Sequence, residues 1–223
     1  MTNKNPIIAS IANAKGGCGK SSITMFLAAA LAKQKKKKVL IIDTDSQRTI
    51  TDIYEAEVEE GEVLVEVEDM RPSKATKYIE KYGNEFDVVL IDIARVTKKL
   101  GDEVAAMLLT NCSHVFVPVI GTTADILSTT DFLQLLKEVG KDRKELGMDF
   151  YYSCFINRMN RRSENKIAID YLKESDTKVL KSHINDLKLF TNPTLQSSIL
   201  DTKEGKQRFS PFFKEVSKLL NIK

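Results

Sequence analysis

Long apolar runs are missing from this 223-residue chain. No stretch reaches the ~18 residues of a membrane span, and the apolar segment at 7–12 is too short and too soon interrupted for a secretory core, so a cytoplasmic location is expected. Cysteine is scarce and odd in number: Cys18, Cys112 and Cys154 lie far apart, without CxxC or Cys/His spacing. That argues against a disulfide framework or a zinc site and for a reducing compartment. An excess of one charge is lacking too, with 34 Lys and Arg against 31 Asp and Glu. A net charge of +3 excludes a highly charged disordered chain and a uniformly basic one, so any contact with nucleic acid has to be local. Repeats, low-complexity tracts and linkers are also absent. With 42% hydrophobic residues, the chain reads as one domain over residues 1–223.

What is present is alternation. Residues 6–12 (PIIASIA) form a β-branched run that stops at a glycine cluster, and SSITMFLAAALAKQ then carries Ile23, Phe26, Leu27, Ala30 and Leu31 at helical spacing. Further short apolar runs follow at 39–43, 87–92, 114–119 and 150–156, with helix-like segments near 72–82, 98–110, 123–139, 163–174 and 206–221. This order predicts an α/β fold with a doubly wound, mainly parallel sheet flanked by helices. Two charged segments interrupt the pattern. Lys35–Lys38 read as cations at the C-terminal end of the first helix, opposing its macrodipole. The acidic stretch 55–69, with alternating Val63, Val65 and Val67, reads as an edge strand with a charged outer face.

The segment Lys15-Gly16-Gly17-Cys18-Gly19-Lys20-Ser21-Ser22 lies between the first strand and the first helix, where a phosphate-binding loop belongs. Glycines let backbone N–H groups turn inward, and the helix N-terminus adds positive partial charge. Lys20 is expected to reach the β- and γ-phosphates of a bound nucleotide, and the Ser21 hydroxyl to ligate Mg²⁺. The ordinary pattern G-x-x-x-x-G-K-[ST] is not met, because its first position falls on Ala14. Cys18 reads as a small loop residue.

AKGGCGKSS resembles the deviant Walker A loop of the ParA/MinD family of P-loop NTPases, marked by the additional lysine that is here Lys15. The resemblance implies two subunits sandwiching two ATP molecules, with Lys15 crossing to the phosphates of the other subunit as a cation supplied in trans, comparable to an arginine finger. VLIIDTDSQRT resembles the family's D-x-D-x-Q segment. It implies that Asp45 positions or deprotonates the attacking water and that Asp43 supports Mg²⁺, with a cap of the following helix as the structural alternative for Asp45. Ser46-Gln47-Arg48-Thr49 departs from the commoner Pro-Gln-Gly-Asn. FDVVLID has the form of a Walker B strand ending in Asp92, a further metal-site residue. Ile93-Ala94-Arg95-Val96 replaces the usual proline-containing turn, leaving Arg95 as a salt-bridge former or a phosphate sensor. Asn157 falls where the family reads the adenine edge, although a turn asparagine at the strand end suits the sequence as well. Thr191-Asn192-Pro193-Thr194 is the candidate for the loop closing the adenine pocket.

Charge is uneven along the chain: residues 1–140 hold 17 Lys and Arg against 20 Asp and Glu, residues 141–223 hold 17 against 11. Arg158, Arg161, Arg162 and Lys166 cluster at one predicted helix entry, and Lys203, Lys206 and Arg208 precede the last helix. Such cations suit sequence-independent phosphate-backbone contact, or else form an ordinary solvated face. The resemblance then implies a small ParA-type ATPase, using ATP and Mg²⁺, without a separate N-terminal DNA-reading domain. It would dimerise on ATP, bind DNA non-specifically as a nucleoid-associated dimer, hydrolyse slowly under stimulation by a ParB-like partner, and so position a plasmid or mobile element. A MinD-like membrane-associated ATPase, using residues 212–223 as an amphipathic helix, is the alternative. An electron-transfer relative of nitrogenase iron proteins would need cluster cysteines at a dimer interface, which Cys112 and Cys154 do not suit.

Overall fold

The computed structural model describes residues 5–93, 101–121, 123–159, 164–174 and 177–222. Six strands form one sheet: β1 Ile7–Ile11, β2 Val39–Asp43, β3 Glu66–Asp69, β4 Val88–Asp92, β5 His114–Val119 and β6 Tyr151–Ile156. Every pairing is parallel, in the order β3-β2-β4-β1-β5-β6, as the alternating pattern predicts. The inner strands β2 and β4 are apolar up to their final aspartates because both faces are covered, whereas the edge strand β3 (EVED) buries only Val67. Ala9, Ile11, Ile41, Val88 and Leu90 face one core, shared with α1 (Lys20–Lys35) and α7 (Lys203–Leu219). Leu40, Ile42, Val89, Ile91 and Val115 face the other, shared with α3 (Pro72–Tyr82), α4 (Gly101–Asn111), α5 (Thr123–Glu145) and α6 (Glu164–Glu174).

Several boundaries differ from expectation for identifiable reasons. The acidic stretch divides: residues up to Glu60 belong to α2 (Thr49–Glu60), and the edge strand begins only at Glu66. Leu64 is held instead by its N–H bond to the Leu195 carbonyl, so Val63 stands outside the ladder. α5 runs two turns past its expected end, through Gly140, which packs against Phe150. α7 begins three residues early because Thr202 caps it, its hydroxyl accepting the Gly205 N–H at 2.9 Å. The apolar stripe of α7 is turned into the core: Phe209, Phe212, Phe213, Val216 and Leu220 are all buried, and Phe212 packs on Phe155 with ring centroids 4.7 Å apart. This helix therefore presents no apolar face to a membrane, against the alternative reading of its sequence.

Register fixes the site. Asp43 is the Cα partner of Asp92 across β2 and β4, and Ile11 is the partner of Asp92 across β1 and β4. The ends of three neighbouring strands thus bring two carboxylates beside the loop that follows β1.

Candidate phosphate and metal site

The loop is anchored before it turns. Asn13, wholly buried, donates from Nδ2 to the Pro118 carbonyl at 2.8 Å and to Thr129 Oγ1 at 3.0 Å, while its Oδ1 accepts the Lys15 N–H at 3.2 Å. Gly17 (φ 73°) and Gly19 (φ 88°) then take left-handed conformations that side chains resist. At Gly19 a Cβ would also stand 2.3 Å from Asn157 Nδ2. That closeness follows from a clasp: Asn157, buried at the end of β6, donates Nδ2 to the Cys18 carbonyl at 2.7 Å.

Lys20 is buried, and its ammonium donates to the Lys15 carbonyl at 3.1 Å. The same carbonyl accepts the Cys18 thiol at 3.2 Å, so a single oxygen gathers both ends of the loop. Lys15 is half-buried, beside exposed Gly16 and Gly17, and Ser22, the third residue of the helix, is half-buried. α1 has Gly19 at its cap position, with no side-chain cap and no acidic residue in its first turn, leaving its first N–H groups without a built-in anion.

Ser21 Oγ donates to Asp92 Oδ2 at 2.6 Å. The other oxygen, Asp92 Oδ1, is buried without a hydrogen-bond partner, an arrangement that costs free energy unless a cation or its water occupies the site. Burial pushes the Asp92 carboxyl up to about 7, with Ser21 opposing the rise and the nearby Asp43 charge adding to it. A hydroxyl and a buried carboxylate with one unused oxygen fit a magnesium ion held through water, and Ser21 and Asp92 are the residues that would hold it.

Both carboxylate oxygens of Asp43 take hydrogen bonds from the segment that follows β2. Its Oδ2 accepts the N–H groups of Ile50 and Thr51 at 3.2 and 3.1 Å and the Thr51 hydroxyl at 3.1 Å, and its Oδ1 accepts the Asp45 N–H at 3.1 Å. The capping role weighed for Asp45 thus belongs to Asp43. With both oxygens engaged by the protein, Asp43 suits support of a metal through its charge and the ion's water shell, as the resemblance implies. Burial still raises its carboxyl, against the pull of those bonds. Asp45 lies half-buried on the loop beyond, Oδ1 accepting the Gln47 N–H at 3.0 Å in an Asx turn. Arg48, where the related motif has glycine, adopts φ 51° at the start of α2. Its guanidinium is held by Asp69 at 2.5 Å, Glu55 at 2.7 Å and Asp52 at 3.4 Å.

A cleft of about 390 Å³ opens beside the loop, lined by Gly19, Asn157, Arg158, Asn185, Asp186 and Thr191 among others. Thr191, from the segment assigned to closing the base pocket, does reach it. Asn157 lines it too, with one of its two amide N–H groups given to the Cys18 carbonyl. Arg158 (φ 55°) is exposed and lines this cleft as well. Lys166, Lys203, Lys206 and Arg208 are exposed, whereas Arg161, Arg162, Ala94 and Arg95 lie outside the described residues. Cys112 and Cys154 are buried free thiols, pushed up to about 12 by burial. Sequence reasoning missed Asn13, and also Thr44, whose hydroxyl donates to the Asp92 carbonyl at 2.7 Å. Their partners are distant in sequence or are backbone atoms, which leave no local signal.

Comparison with known proteins bears on this arrangement. A solved structure of a Cyanothece McdA variant in complex with ATP superposes at a TM-score of 0.74, with 18% identity, covering 99% of this chain and 98% of that one. A plasmid partition protein from Borrelia burgdorferi superposes at 0.70, with 18% identity over 96% and 99% of the two chains. Maintenance of carboxysome distribution protein A from Halothiobacillus neapolitanus is 21% identical over 146 residues, 66% of this chain and 65% of that protein. The model of the CobQ/CobB/MinD/ParA nucleotide-binding domain matches residues 9–197, which take in the loop, Asp43, Asp45, Asp92 and Asn157. ATP with Mg²⁺ is the cofactor of this group, and the chain belongs to the CobQ/CobB/MinD/ParA nucleotide-binding family as a P-loop ATPase of ParA/MinD type.

Proposed function

We propose that this chain is a ParA-type positioning ATPase whose ATP-bound dimer holds DNA without sequence preference. The observation that carries the reading is the pair of lysines on one loop. Lys20 is buried within it, five residues after Lys15, and a second cation at the loop's entrance suits the phosphates of a neighbouring subunit. In this reading Lys20 and the N–H groups of 16–22 bind the nucleotide phosphates, and Ser21 and Asp92 hold Mg²⁺. The ion, when bound, neutralises charge on the β- and γ-phosphates. Asp45, on its Asx turn, orients the attacking water and takes up its proton.

DNA contact is assigned to Lys166, Lys203, Lys206 and Arg208, together with Arg161 and Arg162. Hydrolysis is slow until a ParB-like partner stimulates it, and the protein is cytoplasmic, joining the nucleoid when ATP-bound. The cargo is a plasmid or mobile element. The resemblance to a carboxysome distribution protein supports a protein body as the second cargo class.

The test is binding of a fluorescent random-sequence duplex without nucleotide, with ADP, and with ATP plus Mg²⁺, across a salt series. Binding confined to ATP, steep in salt and lost in Lys15→Ala is expected, while Lys15→Ala keeps its ATP affinity and Lys20→Ala loses it. Equal DNA binding with and without nucleotide, or none in any state, overturns the DNA-carrier reading.

A further inference from the structure

The opposite end of α1 carries a second cluster of cations that the ATPase does not use. At a rise of ~1.5 Å per residue, the 16 residues of this helix separate it from the phosphate loop by about 24 Å. There a cleft of about 380 Å³ is lined by Lys35, Lys214, Ser217, Lys218, Asn221 and Ile222. The lysine run 35–38 reads in sequence as simple neutralisation of a helix end, but its neighbourhood is divided. Lys33 pairs with Asp201 at 3.6 Å and Lys38 with Glu66 at 3.3 Å. Lys35, Lys214 and Lys218 make no ion pair among the described residues. Glu215, the one carboxylate between the α7 lysines, is committed elsewhere: it accepts the N–H groups of Lys181 and Ser182 and the Ser182 hydroxyl at 3.0, 2.8 and 2.6 Å. Two helix C-termini offer roughly −0.5 charge each against three ammonium groups, so the cleft keeps a positive surplus.

A second, independent feature lies in its wall. Ser217 is 3% exposed, and its Oγ is buried with no hydrogen-bond partner. A buried unpaired hydroxyl in the wall of a cleft is a cost that a bound acceptor recovers. We infer that this cleft is a binding site for a terminal phosphate group, as in inorganic phosphate or a small phosphomonoester. Lys35, Lys214 and Lys218 supply charge, and Ser217 and the Asn221 amide supply directed donors. A recessed hydroxyl favours a compact phosphate end over the backbone of a nucleic acid, whose contacts are made by exposed, extended cations. The site is independent of the proposed DNA carrier, and either can fail alone.

The test is heteronuclear NMR of the full chain during titration with inorganic phosphate at constant ionic strength, with chloride as the control. The amides of Ser217, Asn221 and Ile222 are expected to shift and saturate with a Kd on the order of millimolar. Lys214→Gln/Lys218→Gln should weaken that Kd by about tenfold while shifts at residues 16–21 persist. Ser217→Ala should melt no lower than the parent protein in phosphate-free buffer and lose the share of the phosphate-dependent rise in Tm that Lys214→Gln/Lys218→Gln also removes, the rest coming from residues 16–21. Shifts that do not saturate or that match chloride overturn the site, as does saturation indifferent to the double substitution. A lower Tm of Ser217→Ala without phosphate makes the hydroxyl structural and does the same. Stronger shifts with a short DNA duplex than with phosphate at equal phosphate concentration overturn the assignment to a terminal phosphate.

Discussion

Helices α1 and α2 both begin at the C-terminal edge of the sheet, on either side of β4, and their first turns meet opposite provision for the same orphan N–H groups. At α2 the anion is built in, for Asp43 accepts the N–H groups of Ile50 and Thr51. At α1 the cap position is Gly19, which has no side chain to cap with, and it closes a glycine loop clasped from behind by Asn157. One junction is finished by the protein itself, and the other is left to be finished by a phosphate. A binding site of this kind is thus recognisable as a helix start that lacks what its neighbour possesses.

The contrast breaks most completely at Gly19. In Gly19→Ala the added methyl meets Asn157 at a positive φ, and nucleotide affinity measured with a fluorescent ATP analogue should fall by about 100-fold, or more than ~2.5 kcal/mol. Removing the built-in anion acts on stability instead. Asp43→Ala leaves α2 uncapped and should cost ~2 kcal/mol by denaturant unfolding, with a smaller change in nucleotide affinity.

Between the two junctions stands Asp92, whose carboxyl is raised to about 7. Because the folded value exceeds the unfolded one, its contribution to stability is fully present at low pH and is lost as pH rises through about 7. Asp92→Asn should flatten that loss. Metal binding runs the other way: Mg²⁺ requires the ionised form, so its apparent affinity should fall by up to about tenfold per pH unit below 7, with proton release detectable by calorimetry in two buffers. The smallest effect is expected at Arg48. Arg48→Gly relieves a left-handed backbone and removes ion pairs open to solvent, so stability should change by under ~0.5 kcal/mol.

Much of this was legible in the sequence, and the remainder failed for definite reasons. Strands buried on both faces read as unbroken apolar runs, and a phosphate loop is contiguous, so β1, the loop and α1 could be read directly. Asp92 was recognisable from its place at the end of such a run. Asn157 was placed near the nucleotide, but its bond to Cys18 spans 139 residues and leaves no local trace. Proximity to the helix in sequence favours Asp45 as the cap, whereas the bend after β2 turns the carboxylate of Asp43 back onto residues 50 and 51. Arg158 was grouped with its basic neighbours by sequence, while the end of β6 delivers it to the cleft.

The bond from Lys20 to the Lys15 carbonyl has a kinetic consequence. One of the three ammonium donors already has an acceptor in the resting loop, so at the proposed site an arriving phosphate exchanges that oxygen for its own. The loop keeps its shape between visits, and association amounts to substitution at a preformed seat. Departure of the nucleotide returns the cation to its own backbone, which lets the loop reset without refolding.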